Sequence, residues 1–366
     1  MLMADDLTAV FDTPVDQVPD LDELVRATMA WHFSPATGSP YWVGRLGDLG
    51  FDPLADVKGF ADLHLFDTVT VDWARIPAGR LIPAGCRGER FGVYESGGAT
   101  GAPKRVVDAT SRRRNVEFQS LLLDEVGFPR GEGSWLHVGP TGPHVMAKNV
   151  THLAGLRGFL CHYVDLDPRW VRRCVSQGRQ DLFDLYVEHL ADQVQDVLAS
   201  QDVRAMSCTP RIIERLIARP ELYDLLRAKL RGLIWGGTSA SPETLRLFQE
   251  EVFPDAVVMG AYGNTMMGVA PQRPPVDGDT YRCVFRPFHP YTMVEVIDPA
   301  DPTRQVAPGE AGQVKITTLT RDLFVPPTPE RDTAVRLAPV DGYPGIELAD
   351  VKPREAIANT IVEGVY

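Results

Sequence analysis

Arg90-Phe91-Gly92-Val93-Tyr94-Glu95-Ser96-Gly97-Gly98-Ala99-Thr100-Gly101-Ala102-Pro103-Lys104 is the stretch from which the rest of the chain is read. The apolar-leaning start, Arg90–Tyr94, predicts a short strand. Gly97, Gly98, Ala99, Thr100, Gly101 and Ala102 are too small to fill a core. Such residues let backbone N–H groups turn toward one point and cradle an anion. Lys104 sets a mobile positive charge beside that cradle, and a nucleotide phosphate is the natural target. A Gly-rich surface turn has the same composition. The polar, basic residues that follow predict a helix start with Thr110 or Ser111 as N-cap.

Spacing excludes the commonest phosphate loop. A Walker loop has Gly-x-x-x-x-Gly-Lys-Ser/Thr. Here Ala102 and Pro103 separate Gly101 from Lys104, and Arg105 follows the lysine. The Gly-x-Gly-x-x-Gly of a dinucleotide fold is absent from this loop.

Working outward, Ser111–Val126 predicts a helix with Val116, Ser120 and Leu123 on one face. Strands are predicted at Ser134–Val138, Cys161–Asp165, Val203–Cys208, Leu230–Trp235 and Ala256–Gly260. Helices fall between them, Asp181–Ala199 being the longest. Strand–helix alternation predicts an α/β fold, mostly parallel sheet flanked by helices. Ligands of such sheets sit at the carboxyl ends of strands. Two informative turns lie there, Gly236-Gly237-Thr238-Ser239 and Gly260-Ala261-Tyr262-Gly263-Asn264-Thr265. Tyr262 offers a flat face for stacking and Thr265 a hydroxyl for a phosphate. A sharp turn and a core tyrosine are the structural alternatives.

Before the loop, Leu21–Phe33 predicts a helix with Leu21, Leu24, Val25, Thr28 and Met29 on one face. Residues 50–90, rich in Pro, Gly and Asp, are expected to wrap the surface. After Tyr281 the pattern turns strand-like at Arg282–Pro287, Tyr291–Ile297 and Gly312–Leu319, which predicts a small β-rich subdomain. The expected division is 1–280 and 281–366.

Composition narrows the classes. The 366 residues carry a formal net charge of -12, which argues against a nucleic-acid partner. No stretch approaches the ~20 apolar residues of a membrane span. The acidic N-terminus lacks a signal peptide's order. Five scattered cysteines form no metal pattern, so no metal ligand is assigned. A reduced, cytoplasmic protein is expected, and a homodimer is one allowed assembly.

The three turns, in this order, resemble those of adenylate-forming (acyl- and aryl-AMP ligase) enzymes. That family's phosphate loop, Thr-Ser-Gly-Thr-Thr-Gly-x-Pro-Lys, aligns without a gap on Ser96–Lys104. A Gly-Gly turn follows, then Tyr-Gly-x-Thr-Glu. The resemblance implies a large N-terminal domain of the adenylate-forming type. It implies that Ser96, Gly97, Gly98, Thr100 and Gly101 hold phosphates, with Lys104 and Thr265 catalytic. Gly236, Gly237, Tyr262 and Gly263 would hold adenine. Asp332, in Pro329-Glu330-Arg331-Asp332, resembles the aspartate that binds ribose hydroxyls, which suits a vicinal diol. His144, Thr238 and Gly260 would contact the acid.

Met266 stands where the family has a metal-binding Glu, so Mg²⁺ would come with ATP rather than through that position. The family's mobile C-terminal domain is expected to be absent after Asp332. The chain also resembles truncated adenylation proteins of phenazine-antibiotic and benzoxazole-type biosynthesis and, more distantly, phenylacetate–CoA ligases. The implied activity is ATP-dependent activation of an aromatic carboxylic acid. A hydroxyl, amine or thiol acceptor would then take the acyl group in antibiotic biosynthesis. The alternatives are a non-catalytic nucleotide- or aryl-acid-binding protein and an aryl-CoA ligase.

Overall fold

The computed structural model describes residues 8–98, 101–131 and 133–354. Strands β1 (Gly92–Glu95) and β2 (Arg105–Asp108) pair antiparallel, with Glu95 opposite Arg105. The glycine stretch is therefore the tip of a hairpin, not a link from strand to helix. Val106 and Val107 are fully buried, and that apolar pair anchors the unexpected second strand. The helix Ser111–Glu125 follows, with Thr110 at its N-cap. Its cap comes from afar. The buried Asp322 carboxylate accepts from the backbone N–H groups of Ala109 (3.0 Å), Thr110 (2.6 Å) and Ser111 (2.8 Å). An anion there also complements the helix dipole.

The predicted α/β sheet is present. Its strands are β3 (Ser134–Gly139), β4 (Leu160–Asp165), β5 (Val203–Cys208), β6 (Gly232–Gly236), β7 (Val257–Asn264) and β8 (Gly268–Pro271). Their order is β4-β3-β5-β6-β7-β8, parallel from β4 to β7, with β8 antiparallel at the edge. Every residue of β3 is buried, as a strand covered on both faces requires. The helices Val145–Leu156 and Gln180–Ser200 lie where the pattern puts them. Two further helices, Pro168–Ser176 and Pro220–Lys229, each begin on a proline suited to a first helical turn.

A second sheet holds β9 (Val284–Phe285), β10 (Thr292–Asp298), β11 (Asp301–Gln305), β12 (Ala311–Leu319), β13 (Phe324–Leu337) and β14 (Glu347–Pro353). It is antiparallel throughout, in the order β11-β10-β12-β13-β14-β9. The pattern after Tyr281 foretells β9, β10 and β12 but not β13, a 14-residue strand. Pro326, Pro327 and Pro329 mask it, because prolines lack the ladder donor. Pairing with β12 absorbs them through register shifts near Lys315 and Thr318.

The helix Leu21–Phe33 forms as predicted, and Asp20 caps it by accepting from the Glu23 N–H. It lies on the second sheet. Trp31 Nε1 donates to the Arg321 carbonyl at 2.9 Å, and the Phe33 and Phe324 rings lie 5.8 Å apart. Residues 50–90 do not merely wrap the surface. Val57, Leu63, Phe66, Trp73, Leu81 and Cys86 are all buried. Leu63, Phe66 and Cys86 come from short helical turns and the others from the caps and turns between them, so no periodicity announces them. Residue 280 falls in the link between the sheets, yet one cluster of buried side chains runs from Val10 to Leu348. Among the described residues no helix is long and apolar enough to cross a membrane.

Asp322→Ala would leave three backbone donors without their charged acceptor. A loss of about 2–3 kcal/mol is expected in urea unfolding, the range for hydrogen bonds to charged groups. An unchanged midpoint and slope would show that the cap is dispensable.

Candidate active site

A cavity of ≈ 1650 Å³ lies where β13 faces the glycine hairpin and the carboxyl ends of β3, β5, β6 and β7. Single-ligand pockets span roughly 300–1,000 Å³. The volume therefore admits two ligands side by side.

The hairpin tip brings Ser96, Gly97, Gly98, Gly101 and Lys104 to this cavity; Thr100 lies outside the described residues. The end of β6 brings Gly236, Gly237 and Thr238. β7 and its turn bring Tyr262, Gly263 and Thr265, β13 brings Asp332, and the turn after β3 brings His144. Gly260 is the exception. A side chain there would meet Cys283 Sγ at 2.7 Å and Trp235 at 2.8 Å. Its bareness serves packing behind the wall, and it does not line the cavity.

Local bonds shape the tip. Ser96 Oγ accepts from the Lys104 N–H at 2.9 Å, and the Ser96 N–H donates to the Lys104 carbonyl at 3.0 Å. Gly98 has φ +66°, a conformation that glycine adopts at no steric cost. The Arg172 guanidinium donates to the Gly97 carbonyl and, at 2.9 Å, to that of Gly98. Glu95, at the base, pairs with Arg105 and Arg169. Partial burial pushes its carboxyl up, but those two arginines outweigh it and hold it below the usual range.

The helix Ser111–Glu125 fixes the turn that bears Thr265. Arg112 donates to the carbonyls of Thr265 and Met266, and Asn115 exchanges two hydrogen bonds with the Val269 backbone. Thr265 Oγ1 donates to the Glu95 carbonyl at 3.4 Å, closing the turn onto the hairpin.

Tyr262 and Asp332 meet across the two sheets. The phenol donates to Asp332 Oδ2 at 3.1 Å. Burial pushes the Asp332 carboxyl above its ordinary range, while Arg331 and the phenol pull it back. Burial also lifts the Tyr262 hydroxyl well above a free phenol. Two residues further back on β13, Glu330 is 8% exposed and its Oε1 lies 3.6 Å from Lys104 Nζ.

Another part of the wall is apolar: Trp135, Val150, Leu153, Ile234 and Ala261. His137 and Ser207 sit among these. Trp135 Nε1 donates to Ser207 Oγ at 3.1 Å, and His137 Nδ1 lies 2.9 Å from the same oxygen. Burial lowers the His137 pKa to about 4, so its ring is neutral at pH 7. His144 forms the N-cap position of the helix Val145–Leu156 without a side-chain cap, and burial lowers its pKa as well.

Folded proteins leave few buried polar groups unpaired. Among the described residues ten side-chain polar atoms are buried without a hydrogen-bond partner, and five of them are Thr209 Oγ1, Trp235 Nε1, Thr238 Oγ1, Asn264 Nδ2 and Glu330 Oε1. All five residues line this one cavity. Half of the unpaired atoms thus belong to residues of a single cavity. Among the described residues no group of metal ligands gathers at this cavity. The group of Cys86, Glu89 and Asp322 lies away from the cavity wall, and Met266 is buried and offers only a thioether.

No family model matches the chain, and no curated protein does. Solved structures do. 2-Hydroxyisobutyryl-CoA ligase in its postadenylation state, in complex with R3-HIB-AMP, superposes with a TM-score of 0.61 at 14% identity. The match covers 92% of this chain and 67% of that one. The fold is shared with an acyl-CoA ligase. The same ligase in its thioesterification state, with 2-HIB-AMP and CoA, gives 0.57 at 14% identity, covering 91% and 67%. ATP-bound MatB from Rhodopseudomonas palustris gives 0.46 at 19% identity, covering 70% of this chain and 47% of MatB. The present chain thus spans about half the length of MatB and two thirds of the other ligase. The mixed α/β architecture is like that of the N-terminal domains of adenylate-forming enzymes.

Sequence reasoning missed Glu330, Thr209, Trp235 and Arg172. Glu330 shares a face with Asp332 only once the hidden strand Phe324–Leu337 is known, because residues two apart on a strand point the same way. Arg172 lies on a helix that gave no signal of its own.

The neutral His137 has a measurable consequence. Its folded value of about 4 lies below the 6.5 of a free imidazole. The unfolded chain therefore takes up a proton that the folded chain refuses, and His137 lowers stability as pH falls from 6.5 to about 4. Its ring resonances should not titrate between pH 8 and about 5. A midpoint near 6.5 would contradict the burial seen here.

Proposed function

We propose that the cavity binds ATP beside a carboxylic acid and joins them as an acyl-AMP, releasing pyrophosphate. The observation that carries this is the joint placement of the glycine tip, Lys104, the Tyr262–Asp332 pair and five unpartnered polar residues around one two-ligand cavity. The shared fold with 2-hydroxyisobutyryl-CoA ligase supports it.

Lys104 and the tip residues Ser96, Gly97, Gly98 and Gly101 would hold the phosphates that leave. Thr265 would meet the α-phosphate. Gly236, Gly237, Tyr262 and Gly263 would hold adenine, and Asp332 the ribose hydroxyls. Asp332 keeps one oxygen free of the tyrosine for that purpose. The acid's carboxylate attacks the α-phosphorus, and the protein's part is positioning and charge stabilisation. Mg²⁺ would enter on the phosphates, with no protein carboxylate in place of Met266. The apolar wall with Trp135 suits an aromatic acid, and His144 and Thr238 lie on the same cavity to meet it. A hydroxyl, amine or thiol acceptor would complete the transfer.

A second reading is a binding protein without turnover. The buried Met266 favours it, because a carboxylate is missing where the resembled enzymes hold metal.

ATP–pyrophosphate exchange across a panel of aryl acids separates the two. One acid should stimulate exchange, and Lys104→Ala should lower it by roughly 10²–10³, the cost of one charge-stabilising donor. Asp332→Ala should weaken ATP by about 1–3 kcal/mol and 2′,3′-dideoxy-ATP far less. Tight ATP binding with no exchange for any acid would establish the non-catalytic reading.

A further inference from the structure

Glu330 is a charged side chain of this cavity that the reading above leaves unused, and its setting is unusual. It is 8% exposed, lines the cavity, and its Oε1 accepts no hydrogen bond. Lys104 Nζ is 3.6 Å away, beyond hydrogen-bond reach. The pair therefore gives the carboxylate Coulomb support but does not satisfy it.

The charges around Glu330 come from several elements. Lys104 faces it from the hairpin, Asp332 and Arg331 from its own strand, and the Tyr262 hydroxyl from β7. On β12, Gln313 Nε2 donates only to the Glu330 backbone carbonyl, at 2.7 Å. Lys352 on β14 and Arg354 just after it line the same cavity, tied to Asp350 and to Gln313 Oε1 respectively. Burial already pushes the Glu330 carboxyl above its ordinary range, with Lys104 as the main opposing influence.

An anion drawn to Lys104 changes this balance. It competes for the ammonium and brings a second negative charge beside a buried carboxylate whose Oε1 accepts no hydrogen bond. Two anionic groups sharing such a site cannot both stay ionised cheaply, and one takes a proton. A neutral carboxylic acid is also a better neighbour for phosphate, because its O–H is a donor where the ionised form is acceptor only.

We propose that Glu330 is a phosphate-binding residue that acts in its protonated form. It takes one proton from solvent as the anion arrives and donates it as a hydrogen bond to a phosphate oxygen. No covalent bond is made or broken. The inference rests on reading the Lys104 end of the cavity as a phosphate site.

The test is calorimetric titration of the full chain with ATP in two buffers of different ionisation enthalpy. At about pH 8 the phosphates, whose second ionisation lies near ~6, have no proton left to release or to hide an uptake. Wild type should take up between about half and one proton per ATP bound. Its affinity should fall by up to about tenfold per pH unit above neutrality, the limit for one linked proton. Glu330→Gln keeps a donor at the same place. It should bind ATP at least as tightly as wild type at pH 8, with proton uptake near zero and a flat pH profile.

Wild-type binding without proton uptake would overturn the proposal. So would a Glu330→Gln variant that folds, by its thermal melt, but loses ATP affinity as Lys104→Ala does. That result would make Glu330 a charged holder of the lysine. If Glu330→Gln does not fold, the wild-type proton count decides alone. Failure of wild type to bind either ATP or pyrophosphate would instead overturn the phosphate reading itself.

Discussion

A buried carboxylate must find partners, and the β12–β13 hairpin carries three of them. Asp322, in its turn, takes three backbone N–H groups at the start of the helix Ser111–Glu125. That helix, through Arg112 and Asn115, holds the turn that presents Thr265. Asp332, further along, takes the Tyr262 hydroxyl, and Glu330 faces Lys104. One antiparallel hairpin thus fixes both sides of a cavity whose floor belongs to the other sheet. Its role is geometric first, since the partners it demands are the groups that a ligand would meet.

The division of labour between the sheets follows from their chemistry. The inner parallel strands β3, β5 and β6 are largely buried on both faces and meet the cavity mainly toward their carboxyl ends. Those ends bear small and hydroxyl residues, Gly236, Gly237, Thr238 and Thr209. The antiparallel strands can present polar side chains by alternation, and β13 does so with Glu330 and Asp332. Between them the wall passes from a charged region near Lys104 to an apolar one at Trp135 and Leu153. A molecule with a phosphate end and an apolar acyl end matches that gradient.

How much of this was legible depended on how local each signal was. The alternation of strands and helices from Ser134 to Gly260 was visible because each element has its own apolar pattern. Gly97, Gly98, Lys104, Tyr262 and Thr265 were visible because they cluster in short motifs. The strand Arg105–Asp108 was hidden, since two valines between an arginine and an aspartate give no period. The strand Phe324–Leu337 was hidden by its prolines. Residues 50–90 were misjudged because isolated buried aromatics such as Phe66 and Trp73 belong to no repeat. The resemblance puts Gly260 against the acid, yet its backbone is packed against Trp235 and Cys283. The Tyr262–Asp332 contact joins residues 70 apart and exists only in three dimensions.

The central claim is that one cavity holds the nucleoside and the acid next to each other. An acyl-sulfamoyl adenosine joins both pieces through an unreactive link, so its binding tests adjacency without requiring turnover. Calorimetry should compare it with AMP and with the free acid, using the acid that binds best. Two pieces that sit side by side should gain at least ~10²-fold over the tighter single piece, the lower range for linked binding. An analogue that binds no more tightly than AMP alone would show that the acid does not occupy the apolar wall beside the nucleotide, and would contradict the account.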